Sequence, residues 1–146
     1  VSICPPDTAL SAVKADLSDC PDLGPVMFAL ACRAKGTSVI TGLERLRSKE
    51  SDRVGCMEEE LAKLGCSMHS DRHTARLNGP SDICGGVTLC GHGDHRIVMA
   101  LSVLAACADS PVTIEGAEAV SKSYPGFFED LRACGIRVQE TEGNSL

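Results

Sequence analysis

The chain has 146 residues, of which 43% are hydrophobic, and a formal net charge of −6 at pH 7. This length predicts one domain that can bury a core, and the composition is typical of a globular rather than a disordered protein. The acidic balance argues against a nucleic-acid partner, and the longest apolar stretch, residues 97–108, is shorter than the roughly 20 residues of a membrane span.

The first residues of the chain and its cysteines indicate whether it is part of a longer protein and in which cellular compartment it lies. Val1 stands where an initiator methionine would be, and the basic and apolar regions of a signal peptide do not follow it. We therefore expect a piece of a longer protein. Because Cys32 and Cys107 fall in apolar helical patterns and no C-x-x-C motif occurs, we expect most cysteines to be reduced and buried, as in a cytoplasmic protein. The nine cysteines are at positions 4, 20, 32, 56, 66, 84, 90, 107 and 134.

The first half of the chain predicts alternating strands and helices. In chain order these are a strand at 12–17, a helix at 25–34, a strand at 37–41, a helix at 54–64 and a strand at 66–69. Gly65 is expected to end the second helix. A hairpin is expected around Asp71 and Arg72, so this half reads as a βαβαββ unit.

The same order returns in the second half. It comprises a strand at 86–90, a helix at 97–107, a strand at 111–115, a helix at 127–134, a stop at Gly135 and a strand at 136–139. We interpret the chain as one partial α/β domain with an internal repeat, about 12–70 and 86–140. The two repeated units are expected to pack together as one globular unit. The first helix of each unit is apolar nearly all round, which predicts an interior position with sheets packed around it.

Basic residues stand at the predicted helix starts. Lys49 and Arg53 precede or open the second helix, His95 and Arg96 open the third, and Lys122 lies ahead of the last. A helix N-terminus carries about half a positive charge, so bases are unfavourable there unless an anion shares the site. The pattern therefore predicts an anion site, the alternative being that these long side chains extend into water.

Three segments then carry a resemblance to a known family. They are RSKESDR at 47–53, GDHRIVMA at 93–100 and SKSYPGFFEDL at 121–131. In this order and spacing they resemble the signature segments of the 5-enolpyruvylshikimate-3-phosphate synthase family, and residues 19–36 resemble the helix after its catalytic aspartate. The resemblance covers about residues 10–138. It implies an enzyme of two globular halves, each of three βαβαββ units with buried helices in an inside-out α/β barrel; this chain then forms the last two units of the C-terminal half, with the N-terminal half absent.

The resemblance also implies the reaction. The family transfers the enolpyruvyl group from phosphoenolpyruvate to the 5-hydroxyl of shikimate 3-phosphate and releases phosphate, in the shikimate pathway of aromatic amino-acid biosynthesis. Joining two anions needs a proton donor, a base and cations close together, which accounts for both signs of charge in residues 47–53. By matching position, Glu50 exchanges the proton at the methylene carbon, Asp22 faces the accepting hydroxyl, and Lys49 serves the shikimate phosphate and bridges toward Asp22. No cofactor and no metal are implied.

The remaining implied contacts concern phosphoenolpyruvate. Arg53, Arg96 and Lys122 resemble the family's clamp for this substrate. His95 resembles the histidine beside it, whose implied role is either to tune Glu50 or to hydrogen-bond the enolpyruvyl group. The implied partners are the two substrates and the N-terminal half of the same enzyme, with no nucleic acid and no membrane. These residues form one wall of the site, so the chain is expected to be inactive alone.

Plainer readings remain open for several of these residues. Asp22 and Asp94 are candidate helix N-caps, and Glu50 a dipole-favoured surface acid. The spacing points Asp52 away from Lys49 and Arg53, which predicts a structural role or a pairing with a neighbouring residue. Arg45 stands where some members of the family carry asparagine, and its role stays open.

Two other functions also remain open. The chain could be a non-catalytic anion-binding fragment. Alternatively, the residues Cys90, His92, Asp94 and His95 could ligate a metal, although their spacing fits no common structural zinc pattern.

Overall fold

The computed structural model describes residues 9–140. Four helices are α1 (Gly24–Arg33), α2 (Arg53–Lys63), α3 (His95–Ala105) and α4 (Phe127–Ala133). Six strands are β1 (Lys14–Asp16), β2 (Gly36–Thr41), β3 (Ser67–Ser70), β4 (Thr74–Gly79), β5 (Thr88–Cys90) and β6 (Thr113–Glu115). Short 3-10 turns cover Pro21–Leu23, Glu44–Ser48 and Ala117–Lys122.

The first half forms a mixed four-stranded sheet. Its order is β1-β2-β4-β3, with β1 parallel to β2 and β4 antiparallel to both of its neighbours. The β3–β4 hairpin turns at residues 71–73, which confirms the predicted hairpin. In the second half β5 pairs with β6 in parallel, as β1 pairs with β2. In each half α1 or α3 thus connects two parallel strands.

Both predicted glycine stops are confirmed by the same local geometry. Gly65 and Gly135 have φ angles of +80° and +88°, which a residue without a Cβ adopts most easily. After α2, the amide of Gly65 donates to Ala62 and that of Cys66 to Leu61. After α4, the amide of Gly135 donates to Arg132 and that of Ile136 to Leu131. Each helix therefore ends in a Schellman motif that turns the chain away from its axis.

The two apolar helices pack against each other, and α1 also packs on β4. Phe28 of α1 and Leu101 of α3 are both fully buried in the main core. The opposite sides of these helices are less enclosed, because Leu30 is 46% exposed and Val103 is 49% exposed. Burial with sheets all round, as expected from the sequence, therefore holds on one side of each helix.

The predicted strand at 136–139 is not formed among the described residues. A strand needs a hydrogen-bonded neighbour, and in the first half β3 obtains one from β4. The residues after 140 lie outside the described range. The duplication of whole units, with the boundaries given above, therefore stays a prediction.

The expectation that most cysteines are buried was wrong. All eight cysteines between residues 9 and 140 are free, but only Cys32 and Cys66 among them are buried. Cys107, expected within a helix, is exposed because α3 ends at Ala105. Cys4 lies outside the described residues. None of the helices described is long and apolar enough to cross a membrane.

Candidate functional site

The site is built around the first turn of α2. Asp52 caps this helix, since its Oδ1 accepts hydrogen bonds from the amides of Val54 and Gly55, both at 3.1 Å. The other oxygen of Asp52 pairs with Arg47 at 3.1 Å. The structural role predicted for Asp52 is confirmed, and this cap directs the next side chain, Arg53, into the protein.

Arg53 is 1% exposed and is surrounded by carboxylates. Its Nε donates to Asp94 Oδ2 at 2.7 Å, its Nη1 to Asp22 Oδ1 at 2.8 Å and its Nη2 to Glu50 Oε2 at 2.7 Å. Burial opposes the charged form, but the hydrogen bonds that Arg53 donates to Asp94 and Asp22, together with the negative charge of Glu50, hold the pKa of Arg53 above its ordinary value. The guanidinium is therefore held as a cation by three segments of the chain.

Asp22 joins three basic residues. In addition to Arg53, Lys49 Nζ lies 3.3 Å from Asp22 Oδ1, and Arg96 Nη2 donates to Asp22 Oδ2 at 3.2 Å. Burial opposes ionisation of Asp22, yet the bonds from Arg53 and Lys49 hold the pKa of this carboxyl below its ordinary value. Asp22 does not cap a helix: Cys20 precedes the 3-10 turn and Leu23 precedes α1. The N-cap reading of Asp22 is thus wrong.

Asp94 is the N-cap of α3 and is fully buried. Its Oδ1 accepts from the Arg96 amide at 2.9 Å, and its Oδ2 accepts from Ser51 Oγ at 3.2 Å in addition to Arg53. The N-cap reading of Asp94 is therefore confirmed. The same carboxylate also ties the start of α3 to the start of α2, a contact that the sequence did not indicate.

Together these side chains form what we call the charge cluster: Asp22, Lys49, Glu50, Arg53, Asp94 and Arg96. Its three cations and three carboxylates balance. The repulsion between bases and helix N-termini is thus relieved by the chain's own carboxylates. The cluster therefore carries no net charge of its own.

The other two predicted site residues lie at the start of α3 or against the loop ahead of it. Lys122 is exposed, and its Nζ donates to the carbonyl of Gly93 at 2.8 Å. His95 is 8% exposed, and its Nδ1 is buried without a hydrogen-bond partner among the described residues. Arg45, whose role was open, donates to the carbonyl of Ser18 at 3.2 Å. The seven predicted site residues therefore meet through Asp22, Arg53 and the Gly93–Arg96 segment.

The four residues considered as metal ligands do not act as a set. Asp94 bonds Arg53, while His92 Nε2 donates to Glu60 Oε1 at 3.0 Å. Within residues 9–140 the structure gathers a different group, Glu59, Glu60 and His92. Lys63 Nζ already lies 2.8 Å from Glu60 and 3.5 Å from Glu59, so an ammonium group occupies the position of a cation there.

The buried carboxylate of Asp94 predicts an acid-sensitive fold. Burial opposes its ionisation, but bonds from Arg53, Arg96 and Ser51 hold the pKa of Asp94 below its ordinary value. Such a group contributes stability in full above its unfolded pKa of about 3.9, and the contribution is lost as pH falls through the folded pKa. We expect the free energy of unfolding to fall below about pH 4, and more steeply in the wild type than in Asp94→Asn.

Urea unfolding measured from about pH 6 to pH 2.5 tests this expectation. Asp82→Asn, which changes an exposed aspartate, serves as the control and should keep the wild-type slope. Equal slopes in the wild type and Asp94→Asn would contradict the role of Asp94.

Comparison with known families gives one match over most of the chain. Residues 3–131 match the family model described as EPSP synthase (3-phosphoshikimate 1-carboxyvinyltransferase). The chain is 42% identical over 130 residues to the 3-phosphoshikimate 1-carboxyvinyltransferase of Clostridium kluyveri, covering 89% of this chain and 30% of that protein. It is also 42% identical over 137 residues to the protein of that name from Aeropyrum pernix, covering 94% of this chain and 32% of the relative. The chain thus spans about 30% of these relatives' length.

Solved structures agree with this match. The chain resembles an EPSP synthase from Acinetobacter baumannii with a TM-score of 0.76 and 31% identity, over 82% of this chain and 28% of that one. It resembles the enolpyruvyl transferase NikO from Streptomyces tendae with a TM-score of 0.78, over 94% of this chain and 31% of that one. At 22% identity the second likeness concerns the fold alone. Together they confirm the predicted enolpyruvyl transferase-like α/β fold class.

Proposed function

The chain belongs to the EPSP synthase family, and from this we propose that it forms part of a transferase acting on phosphoenolpyruvate and shikimate 3-phosphate. The observation that carries the proposal is the charge cluster. Asp22 and Arg96 are 74 residues apart in sequence, and Arg53 and Asp94 are 41 apart, yet all four share hydrogen bonds. A base, a proton donor and fixed cations within one cluster suit the addition of a hydroxyl to an enol.

The proposed roles follow the reaction. In the addition step Asp22 accepts the proton of the 5-hydroxyl, the hydroxyl oxygen bonds to the enol carbon, and Glu50 supplies a proton to the methylene carbon. In the elimination step the C–O bond to phosphate breaks, Glu50 takes a proton back from the methyl carbon, and the proton held by Asp22 leaves with the phosphate. Glu50 suits this exchange because its side chain is 46% exposed and is oriented by Arg53.

The cations are assigned to binding. We propose that Arg96 and Lys122 hold phosphoenolpyruvate together with Arg53, which is 1% exposed and must exchange its bond to Asp22 or Glu50 for one to this substrate. Lys49 serves the shikimate phosphate, and His95 lies beside the enolpyruvyl group. The exposure of Lys122 supports its availability to a ligand.

A second part of the enzyme belongs to the proposal. The charge cluster is neutral, and the chain corresponds to about 30% of the relatives' length. We infer that the described residues form one wall of the site and that further cations come from a segment outside them. A cytoplasmic location is also part of this proposal, since an odd set of nine cysteines without a C-x-x-C motif favours a reducing compartment.

Reconstitution tests the function. We expect the 146-residue chain to release no phosphate from the two substrates, because a single wall leaves them hydrated and forfeits much of the about 7–11 kcal/mol that orientation can contribute. A chimera in which the chain replaces the matching part of the Clostridium kluyveri relative should turn over. Phosphate or phosphoenolpyruvate binding without turnover in the chimera would favour the non-catalytic alternative. Turnover by the chain alone would contradict the one-wall proposal.

A further inference from the structure

Glu60 is a buried carboxylate that the proposed reaction does not use. It is 0% exposed and lies in α2, seven residues after Arg53. Residues seven apart lie two turns along the same face of a helix. A carboxylate is costly in such a position unless it is hydrogen-bonded, so the partners of Glu60 indicate what it does.

Two of these partners belong to the segment that leads from β5 into α3. Glu60 Oε2 accepts from the Cys90 amide, and Glu60 Oε1 accepts from His92 Nε2, both at 3.0 Å. The third partner, Lys63, lies on α2 itself and binds both oxygens, at 2.8 Å and 2.9 Å. Burial opposes ionisation, but the bonds from Lys63, Cys90 and His92 hold the pKa of Glu60 below its ordinary value. Glu60 therefore presents a fixed negative charge to this segment.

The same segment, Cys90–Asp94, is held at its other end by Arg53. Arg53 donates to Asp94. Helix α2 therefore binds the segment at both ends, through Arg53 at Asp94 and through Glu60 at Cys90 and His92. Between them the backbone is tightly constrained. His92 has a φ of +51°, and a Cβ at Gly91 would lie 2.5 Å from Val98 Cγ2. The segment thus has little freedom while both contacts exist.

The segment Cys90–Asp94 supports two of the residues proposed to hold phosphoenolpyruvate. The carbonyl of Gly93 receives Lys122 Nζ, and α3 starts directly afterwards with His95 and Arg96. The acid–base residue Glu50 lies elsewhere, on the segment ahead of α2. A shift of residues 90–94 would therefore move Arg96, and the Gly93 carbonyl that Lys122 binds, more than it would move Glu50.

We propose that Glu60 is a positioning residue, which through Cys90 and His92 sets the placement of Arg96 and Lys122 for phosphoenolpyruvate. This inference rests on the proposed function for its substrate, but not for the contact itself. In the chimera we expect Glu60→Gln to raise the KM for phosphoenolpyruvate about tenfold, the loss typical of a charged hydrogen bond, while kcat changes less than about twofold.

Two further variants make the test specific. Glu59→Gln removes the neighbouring charge, which is 61% exposed, and should leave both constants unchanged. His92→Gly removes the imidazole while suiting the positive φ of this position, and should raise the KM about threefold without loss of folding. If the Glu60→Gln variant does not fold, His92→Gly becomes the decisive variant. An unchanged KM in whichever folded variant is used would overturn the proposal.

A measurement without substrate separates this proposal from the function. Amide hydrogen exchange in the 146-residue chain should be faster at Cys90 in Glu60→Gln, by about tenfold relative to the core amide of Leu101. Unchanged exchange at Cys90 would overturn the contact whatever the kinetics show. A wild-type chimera without turnover would count against the proposed function, and the exchange result would then decide the positioning role alone.

Discussion

Replacing Arg53 with methionine is expected to lower the free energy of unfolding by about 3–5 kcal/mol, the usual effect of removing one partner from a buried ion pair. Asp94 is fully buried and would keep its charge without the Nε bond of 2.7 Å. Asp22 and Glu50 would lose their bonds as well, although both are nearly half exposed and can be hydrated instead. Most of the loss should therefore come from Asp94.

Chemical denaturation of the wild type, the Arg53→Met variant and an Arg72→Met control measures this effect. Arg72 is exposed in the β3–β4 turn, and its replacement should change stability by less than about 0.5 kcal/mol. Combining Arg53→Met with Asp94→Asn should cost less than the sum of the two single changes, since both remove the same bond. Additive losses would show that the two residues are not coupled.

Glu50→Gln is expected to reduce turnover of the chimera by about 10²–10⁴-fold, the range for loss of a general acid–base residue. Glutamine has nearly the same shape and can still accept a hydrogen bond from Arg53, but it cannot deliver and recover a proton. Because Glu50 contributes no positive charge, the binding of phosphoenolpyruvate should be largely retained. The change should therefore appear in kcat rather than in substrate affinity.

Phosphate release and calorimetric binding of phosphoenolpyruvate, measured on the same preparations, check both halves of this prediction. Glu129→Gln, which alters an exposed carboxylate of α4, is the matched control and should keep wild-type turnover. Near-normal turnover in Glu50→Gln would remove Glu50 from the proposed mechanism. If the Glu50→Gln variant folds normally but no longer binds phosphoenolpyruvate, Glu50 would instead be assigned to substrate binding.

The local features of the fold were predictable from the sequence. All four helices were expected near their observed ranges, as were the hairpin and the stops at Gly65 and Gly135. Such features depend on periodicity and on backbone conformations that few residues adopt, and both are set by neighbours in the chain. The fold class and the residues to examine at the site also followed from sequence, through the resemblance of three charged segments to a known family.

Other features depended on contacts between distant residues, and only the tertiary structure decided them. The strand expected at 136–139 failed because strand formation requires a partner, and the cysteines were misjudged because burial depends on what packs against them. The sequence showed bases at helix starts but not that Arg53 binds Asp94, 41 residues away, nor that Glu60 reaches Cys90, 30 residues away. Sequence determined which charges this protein carries and on which elements; the fold determined which opposite charges meet, because the energy of an ion pair depends on distance and burial rather than on position in the chain.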